Sequence, residues 1–76
     1  MMSEKRVMIL RILRHRTFDT ATDGQYYFNW KYKMPQGTFW YNLKSLRKEK
    51  LVVYGKPNNV IPLQITAKGI KALKEI

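Results

Sequence analysis

The sequence predicts an α+β fold in which three helices are followed by a β-hairpin and a fourth helix. Apolar residues recur at helical spacing from Phe39 to Leu46. Two runs rich in β-branched residues, 51–54 and 60–65, flank a segment of turn-forming residues at 55–59. Thr66 then precedes a last segment with helical periodicity, so the hairpin lies between helices.

The length and composition predict one domain, residues 1–76, that is not an enzyme. A second domain would leave each half too small to bury a core. With no cysteine and one histidine, the chain offers no disulfide framework, no thiolate nucleophile and no ligand set for structural zinc. Paired carboxylates and a glycine-rich phosphate loop are also missing. We therefore expect no catalytic residue, no cofactor, no metal and no small-molecule ligand.

The charge predicts an anionic partner. Lys and Arg total 15 against 5 Asp and Glu, which gives a net charge of +10 and a pI of about 10.2. Nucleic acid and an anionic membrane surface would both satisfy this excess. Arg11 interrupts the apolar N-terminal segment and no cleavage site follows, while no window approaches the roughly 20 apolar residues of a membrane span. We expect a cytoplasmic protein that does not bind membranes.

The first helix is predicted over residues 4–15, with Ser3 as its N-cap. Its broad apolar face consists of Met8, Ile9, Leu10, Ile12 and Leu13. The β-branched and aromatic residues at 17–19 predict a short strand.

The second helix is predicted to begin at a capping box formed by Thr22 and Gln25. Phe28 and Tyr32 are its core candidates. Five aromatic residues in seven positions exceed what one buried stripe can use, so we expect partial exposure of Tyr26, Tyr27 and Trp30. An exposed aromatic patch could bind a second copy of the protein or stack on single-stranded bases. Burial of all five under the last helix or the hairpin is the alternative.

The third helix is predicted over about 35–48, with Pro35 at its first position. Phe39, Leu43 and Leu46 would face the core. The opposite face holds Gly37, Tyr41, Lys44 and Lys48, flanked by Thr38, Trp40 and Ser45.

The hairpin and the last helix complete the prediction. Residues 51–54 and 60–65 form its strands, and Pro62 restricts the second strand to an edge or to a position whose amide faces solvent. Thr66 caps a helix whose apolar face contains Ala67, Ile70, Leu73 and Ile76.

Two stretches resemble winged helix-turn-helix regulators. The segment PQGTFWYNLKSLRKEKLV (35–52) is similar to the recognition helix of that family, and LQITAKG (63–69) is similar to the exit from its wing. Together with the order of elements, the resemblance covers nearly the whole chain. It implies a winged helix-turn-helix fold and sequence-specific binding of double-stranded DNA by a transcription regulator, with autoregulation as one role. The length and composition also resemble the small regulators of archaeal viruses and plasmids.

The resemblance implies that the helix at about 35–48 enters the major groove and that the wing at about 55–59 meets the backbone or a minor groove. Tyr41, Lys44 and Ser45 are the candidates for base edges, and Thr38 for phosphate or a base edge. Arg47, Lys48 and Lys56 are expected to meet the backbone, and Trp40 flanks the same face. Residues 24–48 contain five basic residues and no acidic one, which is unlike ordinary mixed surface patterning.

Other functions remain open at the level of sequence. The basic face could simply be solvated. An RNA-binding or ribosome-associated winged helix would have the same charge and fold, and winged helices also serve as protein-interaction modules. For assembly we expect a monomer or weak dimer in free solution that pairs on DNA through the first helix or the aromatic residues of the second.

Overall fold

The computed structural model describes residues 2–76, which form four helices and a two-stranded antiparallel sheet. The chain has an α+β architecture. Its elements are, in order, α1 (Glu4–His15), α2 (Ala21–Tyr32), α3 (Gln36–Lys48), β1 (Val52–Val53), β2 (Gln64–Ile65) and α4 (Ala67–Lys74).

Helix α1 begins and ends where the sequence predicts. The Ser3 hydroxyl accepts a hydrogen bond from the Arg6 amide at 3.4 Å, which satisfies one of the free donors at the helix start. Ile9, Leu10 and Leu13 are buried, and Met8 and Ile12 pack against the core from its edge. The predicted apolar face is therefore confirmed.

The N-cap of helix α2 lies two residues before the predicted one. Thr20 is the N-cap, and its hydroxyl accepts from the Asp23 amide at 3.0 Å. The predicted box of Thr22 with Gln25 is wrong because Gln25 is buried at 7% exposure instead of reaching back over the helix end. The helix ends at Lys33, which has a φ of 56° in the left-handed region.

Helix α3 spans Gln36–Lys48, and Pro35 is its N-cap instead of its first helical residue. Phe39, Leu43 and Leu46 have no exposed surface, so the predicted core face is confirmed. One buried polar side chain of α3 was not predicted, Asn42, whose side-chain amide donates to the carbonyl of Thr38 at 2.8 Å. This bond satisfies a donor that would otherwise be costly to bury.

The hairpin is present, but its strands are shorter than predicted. Val52 pairs with Ile65 and Val53 with Gln64. Pro62 has no amide hydrogen and interrupts the ladder, so residues 54–63 form a long connection, here called the β1–β2 loop. The short strand predicted at 17–19 is a single bridge, in which Phe18 and Leu63 exchange two backbone hydrogen bonds of 3.1 and 2.8 Å. This bridge anchors the end of the loop.

Helix α4 has the predicted cap but only part of the predicted apolar face. The Thr66 hydroxyl accepts from the Gly69 amide at 3.0 Å and donates to the Lys50 carbonyl at 2.8 Å. A β-carbon at Gly69 would overlap the carbonyl oxygen of Leu51, so glycine lets α4 approach the preceding strand. Leu73 packs against the core, whereas Ala67 is exposed in the first turn and Ile76 is exposed because α4 ends at Lys74.

The buried apolar side chains form one cluster, to which the first three helices, β1 and the Phe18–Leu63 bridge contribute residues. Helix α4 packs against this cluster. The largest fully buried members of the cluster are Phe28, Phe39, Ile9, Leu10, Leu13, Met34, Leu43, Leu46, Leu63 and Val52. Tyr32, the second predicted core residue of α2, is half-buried at the edge. Within residues 2–76, none of the helices is long and apolar enough to cross a membrane.

Candidate nucleic-acid interface

The outward face of α3 carries all of the predicted contact residues except Lys56. Tyr41, Lys44, Arg47 and Lys48 are exposed, whereas Thr38, Trp40 and Ser45 are half-buried. This separation follows from the period of the helix, because the three buried core residues fix which positions point to solvent.

An open groove of about 770 Å³ lies beside this face. It lies between α3 and the β1–β2 loop and is also lined by the start of α2. Its lining residues come from those three elements: Thr20, Ala21 and Thr22 from α2, Trp40, Lys44, Arg47 and Lys48 from α3, and Tyr54, Gly55, Lys56, Pro57, Val60 and Ile61 from the loop.

Four cations line the groove, and they come from two elements. Lys44, Arg47 and Lys48 lie along α3, and Lys56 faces them from the loop. None of the 13 lining residues, all of them within the described chain, is acidic. A cleft lined by charges of one sign concentrates the field and attracts counter-ions. The groove is therefore suited to a polyanion.

Arg47 is held in place by an aromatic ring. Its guanidinium carbon lies 4.5 Å from the centroid of the Tyr54 ring, which is a cation–π geometry. The ring of Trp40 meets Tyr54 at 6.2 Å and Phe39 at 5.6 Å, both nearly edge to face. Trp40 thus forms the wall of the groove and links it to the core, so its surface for an external contact is limited.

The loop is shaped by Gly55. Its amide donates to the Ile61 carbonyl at 3.3 Å, and a β-carbon at this position would overlap the carbonyl oxygen of Asn59. The Asn59 amide donates to the Lys56 carbonyl at 2.9 Å, which closes the tip of the loop. These bonds keep Lys56 opposite α3.

The other three predicted contact residues lie on the side of the outward face of α3 that is away from the groove. Thr38 and Ser45 are half-buried and Tyr41 is 77% exposed, and none of them lines the groove. This flank borders the start of α1, where the Ser3 hydroxyl donates to the side-chain carbonyl of Asn42 at 3.5 Å. The structure therefore brings five predicted residues together at the groove and leaves three on a separate, adjoining surface.

The sequence analysis missed the contribution of α2 and of the apolar loop residues. Thr20–Thr22 line the groove because α2 begins earlier than the capping box suggested. Val60 and Ile61 were predicted as strand residues, yet they are 60% and 40% exposed at the groove. The signal that could have placed them was Pro62, since a strand interrupted there leaves its first residues outside the ladder.

Neither a metal site among the described residues nor a matching known protein indicates what the groove binds. Among residues 2–76, no group of three His, Asp or Glu side chains could hold a metal ion. Comparisons of the chain with protein-family models, with curated proteins and with solved structures found no match.

Proposed function

We propose that the chain is a winged helix-turn-helix protein that binds double-stranded DNA sequence-specifically and regulates transcription. In this proposal α2 and α3 form the helix-turn-helix, α3 is the recognition helix and the β1–β2 loop is the wing. The observation that carries it is the groove, where Lys44, Arg47 and Lys48 of α3 face Lys56 of the loop with no carboxylate among the lining residues.

The outward residues of α3 suit the major groove. That groove is about 12 Å wide and admits one helix, and each base pair presents a distinct pattern there. Lys44 can donate to guanine O6 and N7, and the exposed ring of Tyr41 can contact a thymine methyl group or accept from a base edge. The side chains of Ser45 and Thr38 are shorter, so they would contact base edges or phosphates that come close to the helix.

The groove beside α3 suits one DNA strand. Arg47, Lys48 and Lys56 supply the positive charge that phosphates require. Trp40, Val60 and Ile61 give an apolar surface against which deoxyribose rings can pack.

Selection from a random pool of duplexes at physiological salt tests this proposal, with the region upstream of the protein's own gene included. We expect one sequence motif to be enriched, and its presence upstream of the gene would indicate autoregulation. Tyr41→Ala and Lys44→Ala should lose the enrichment. Lys68→Ala, which removes an exposed charge of α4 away from the groove, is the matched control and should retain it.

Two outcomes would contradict the proposal. If no motif is enriched, the basic groove is not a sequence reader. If an RNA duplex of the selected sequence binds as tightly as the DNA, the chain is an RNA-binding protein, because A-form RNA hides its major-groove edges and would be recognised by shape.

A further inference from the structure

Helix α2 carries an exposed strip that neither the core nor the groove uses. Tyr26 and Trp30 are 66% and 71% exposed, although both are large and aromatic. Asp23 lies one turn before Tyr26, and Lys33 lies at the end of the helix after Trp30; both are exposed. At about 100° per residue Asp23, Tyr26 and Trp30 fall within an arc of roughly 60°, and Lys33 follows as the C-cap of the helix. We call these four residues the α2 strip.

The order of residues along the α2 strip is symmetric about position 28. Tyr26 and Trp30 are each two positions from this point, and Asp23 and Lys33 are each five positions from it. The two inner residues are both aromatic, and the two outer residues have opposite charges. A strip of this kind complements a second copy of itself when the two run in opposite directions.

We propose that the α2 strip binds a second copy of this chain, with the two α2 helices antiparallel across a two-fold axis near residue 28. Each Tyr26 then meets Trp30 of the second copy, and each Asp23 meets Lys33 of the second copy. One two-fold axis generates both copies of every contact, as in other isologous interfaces. The proposal does not depend on DNA binding, because none of the four residues lines the groove.

The aromatic rings are partly ordered before any partner binds. The ring centroid of Trp30 lies 6.3 Å from that of Tyr27, and Tyr27 in turn packs at 5.2 Å against buried Phe18. The Arg16 guanidinium lies 4.5 Å from the centroid of the Tyr27 ring. Ordering of this kind reduces the entropy lost when Trp30 is covered.

Charge favours a second copy over single-stranded nucleic acid. Asp19 and Asp23 are two of the five acidic residues of the chain, and both lie near the start of α2, Asp23 within the strip and Asp19 just before the helix. A strand stacked on Tyr26 and Trp30 would bring its phosphates towards these carboxylates. A second copy would instead bring Lys33.

The interface is too small for a permanent dimer. Complete burial of two aromatic side chains from each copy removes at most about 1,000 Å², whereas standard stable interfaces bury roughly 1,200–2,000 Å². The net charge of +10 on each copy opposes association further. Pairing should therefore be weak in free solution and strong where a shared polyanion neutralises the charge and raises the effective concentration.

Cysteine cross-linking tests the antiparallel arrangement. The natural chain has no cysteine, so Asp23→Cys and Lys33→Cys each carry a single thiol. Positions 23 and 33 of opposite copies should lie within disulfide reach, whereas identical positions should be about 15 Å apart along the helices. Oxidation of an equimolar mixture should give the mixed disulfide well above its random proportion. Random proportions, or an excess of either homodimer, would overturn the proposal.

A charge exchange tests the contacts without cross-linking. Asp23→Lys alone, or Lys33→Asp alone, should raise the dimer dissociation constant on the order of tenfold, because each places like charges together twice. The double exchange should restore the original value. The weak dimer can be measured by sedimentation equilibrium at millimolar protein. About 0.3 M salt shortens the screening length to below 8 Å and so reduces the long-range repulsion between the two positively charged copies.

Glu4→Lys and Lys74→Asp are matched controls, since they make the same charge changes in the first turn of α1 and the last turn of α4. They should leave the dissociation constant within about twofold, and circular dichroism should show all variants folded. Equal effects of strip and control variants would overturn the proposal. So would a Trp30→Ser variant that loses binding to oligothymidine but self-associates as the natural chain does, since the strip would then be a base-stacking surface.

Discussion

Trp40 and Tyr41 show how adjacent aromatic residues of one helix take different roles. The ring of Trp40 is held between Phe39 and Tyr54, whereas Tyr41 is 77% exposed. Both belong to the predicted contact face, and their 100° separation on the helix decides which of them packs. Sequence could predict the face from the three core positions. It could not predict that Trp40 would be partly covered, because Tyr54 belongs to the β1–β2 loop and meets Trp40 only through tertiary packing.

Tyr41→Ala should weaken binding to a selected duplex by roughly 1–3 kcal/mol and change binding to a scrambled duplex much less. The reason is that an exposed ring on the outward face of α3 can reach bases, whereas it neutralises no phosphate. Titration of both duplexes by fluorescence anisotropy measures the two effects. Equal losses on the two duplexes would show that Tyr41 does not read sequence.

Lys48→Ala should have the opposite profile. The lysine lines the groove, and loss of one phosphate contact lowers affinity for every duplex and reduces the slope of log affinity against log salt by about one. Titrations at several salt concentrations give the slope. Lys71→Ala, an exposed lysine of α4 outside the groove, should leave the slope unchanged; a slope unchanged in Lys48→Ala as well would remove that lysine from the interface.

At the scale of the elements, the four helices and the hairpin followed from local sequence, whereas the start of α2 and the lengths of the strands did not. The start of α2 was misplaced because Thr20 with Asp23 and Thr22 with Gln25 offer two similar caps. Burial of Gln25 decides between them, and that depends on tertiary packing. The strands were overextended because β-branched residues also suit the exposed wall of a groove, as Val60 and Ile61 show.

Two glycines near helix starts should respond to alanine with opposite signs. A β-carbon at Gly69 would overlap the carbonyl of Leu51, whereas one at Gly37 meets nothing within 4 Å. Gly37→Ala should therefore raise the free energy of unfolding by up to about 1 kcal/mol, the ordinary difference in helix propensity. Gly69→Ala should lower it by at least about 1 kcal/mol, because α4 must shift away from β1. Urea denaturation of both variants checks the signs, and a stabilised Gly69→Ala would disprove the close approach.

Thr66 should matter more to stability than Thr20, although both cap helices. Thr20 accepts one bond from Asp23, whereas Thr66 accepts from Gly69 and also donates to Lys50. Thr20→Ala should cost about 1 kcal/mol, a typical value for an N-cap. Thr66→Ala should cost about 2 kcal/mol because a second hydrogen bond is lost. Chemical denaturation of the two variants gives the difference, and equal costs would show that the bond to Lys50 contributes little.

At the scale of the whole molecule, the positive charge opposes folding. A net charge of +10 on 76 residues is self-repulsive. Among residues 2–76, a single ion pair, between Arg6 and Glu49, offsets it. Moderate salt should therefore stabilise the folded chain, whereas under the proposed function it would weaken binding to DNA.

We expect a rise from low to about 0.2 M salt to add on the order of 1 kcal/mol to stability, which for a chain of this size raises Tm by about 4–8 °C. Differential scanning calorimetry measures the shift. A control variant replaces four exposed lysines away from the groove by glutamine, namely Lys5, Lys68, Lys71 and Lys74. It should be more stable at low salt and gain less from added salt. A Tm that falls with salt in the natural chain would mean that repulsion is not the dominant electrostatic effect.

The complete burial of Phe39, Leu43 and Leu46 on one side of α3 has an evolutionary consequence. Since those three residues hold the helix, Tyr41, Lys44 and Lys48 on the opposite side are exposed and uncoupled from the core. Surface substitutions of this kind usually change stability by less than about 0.5 kcal/mol. Under the proposed function, the preferred DNA sequence could diverge by single heritable steps at Tyr41 and Lys44, and the overall affinity at Lys48, while every intermediate stays folded. A library randomised at these three positions should consist largely of folded members.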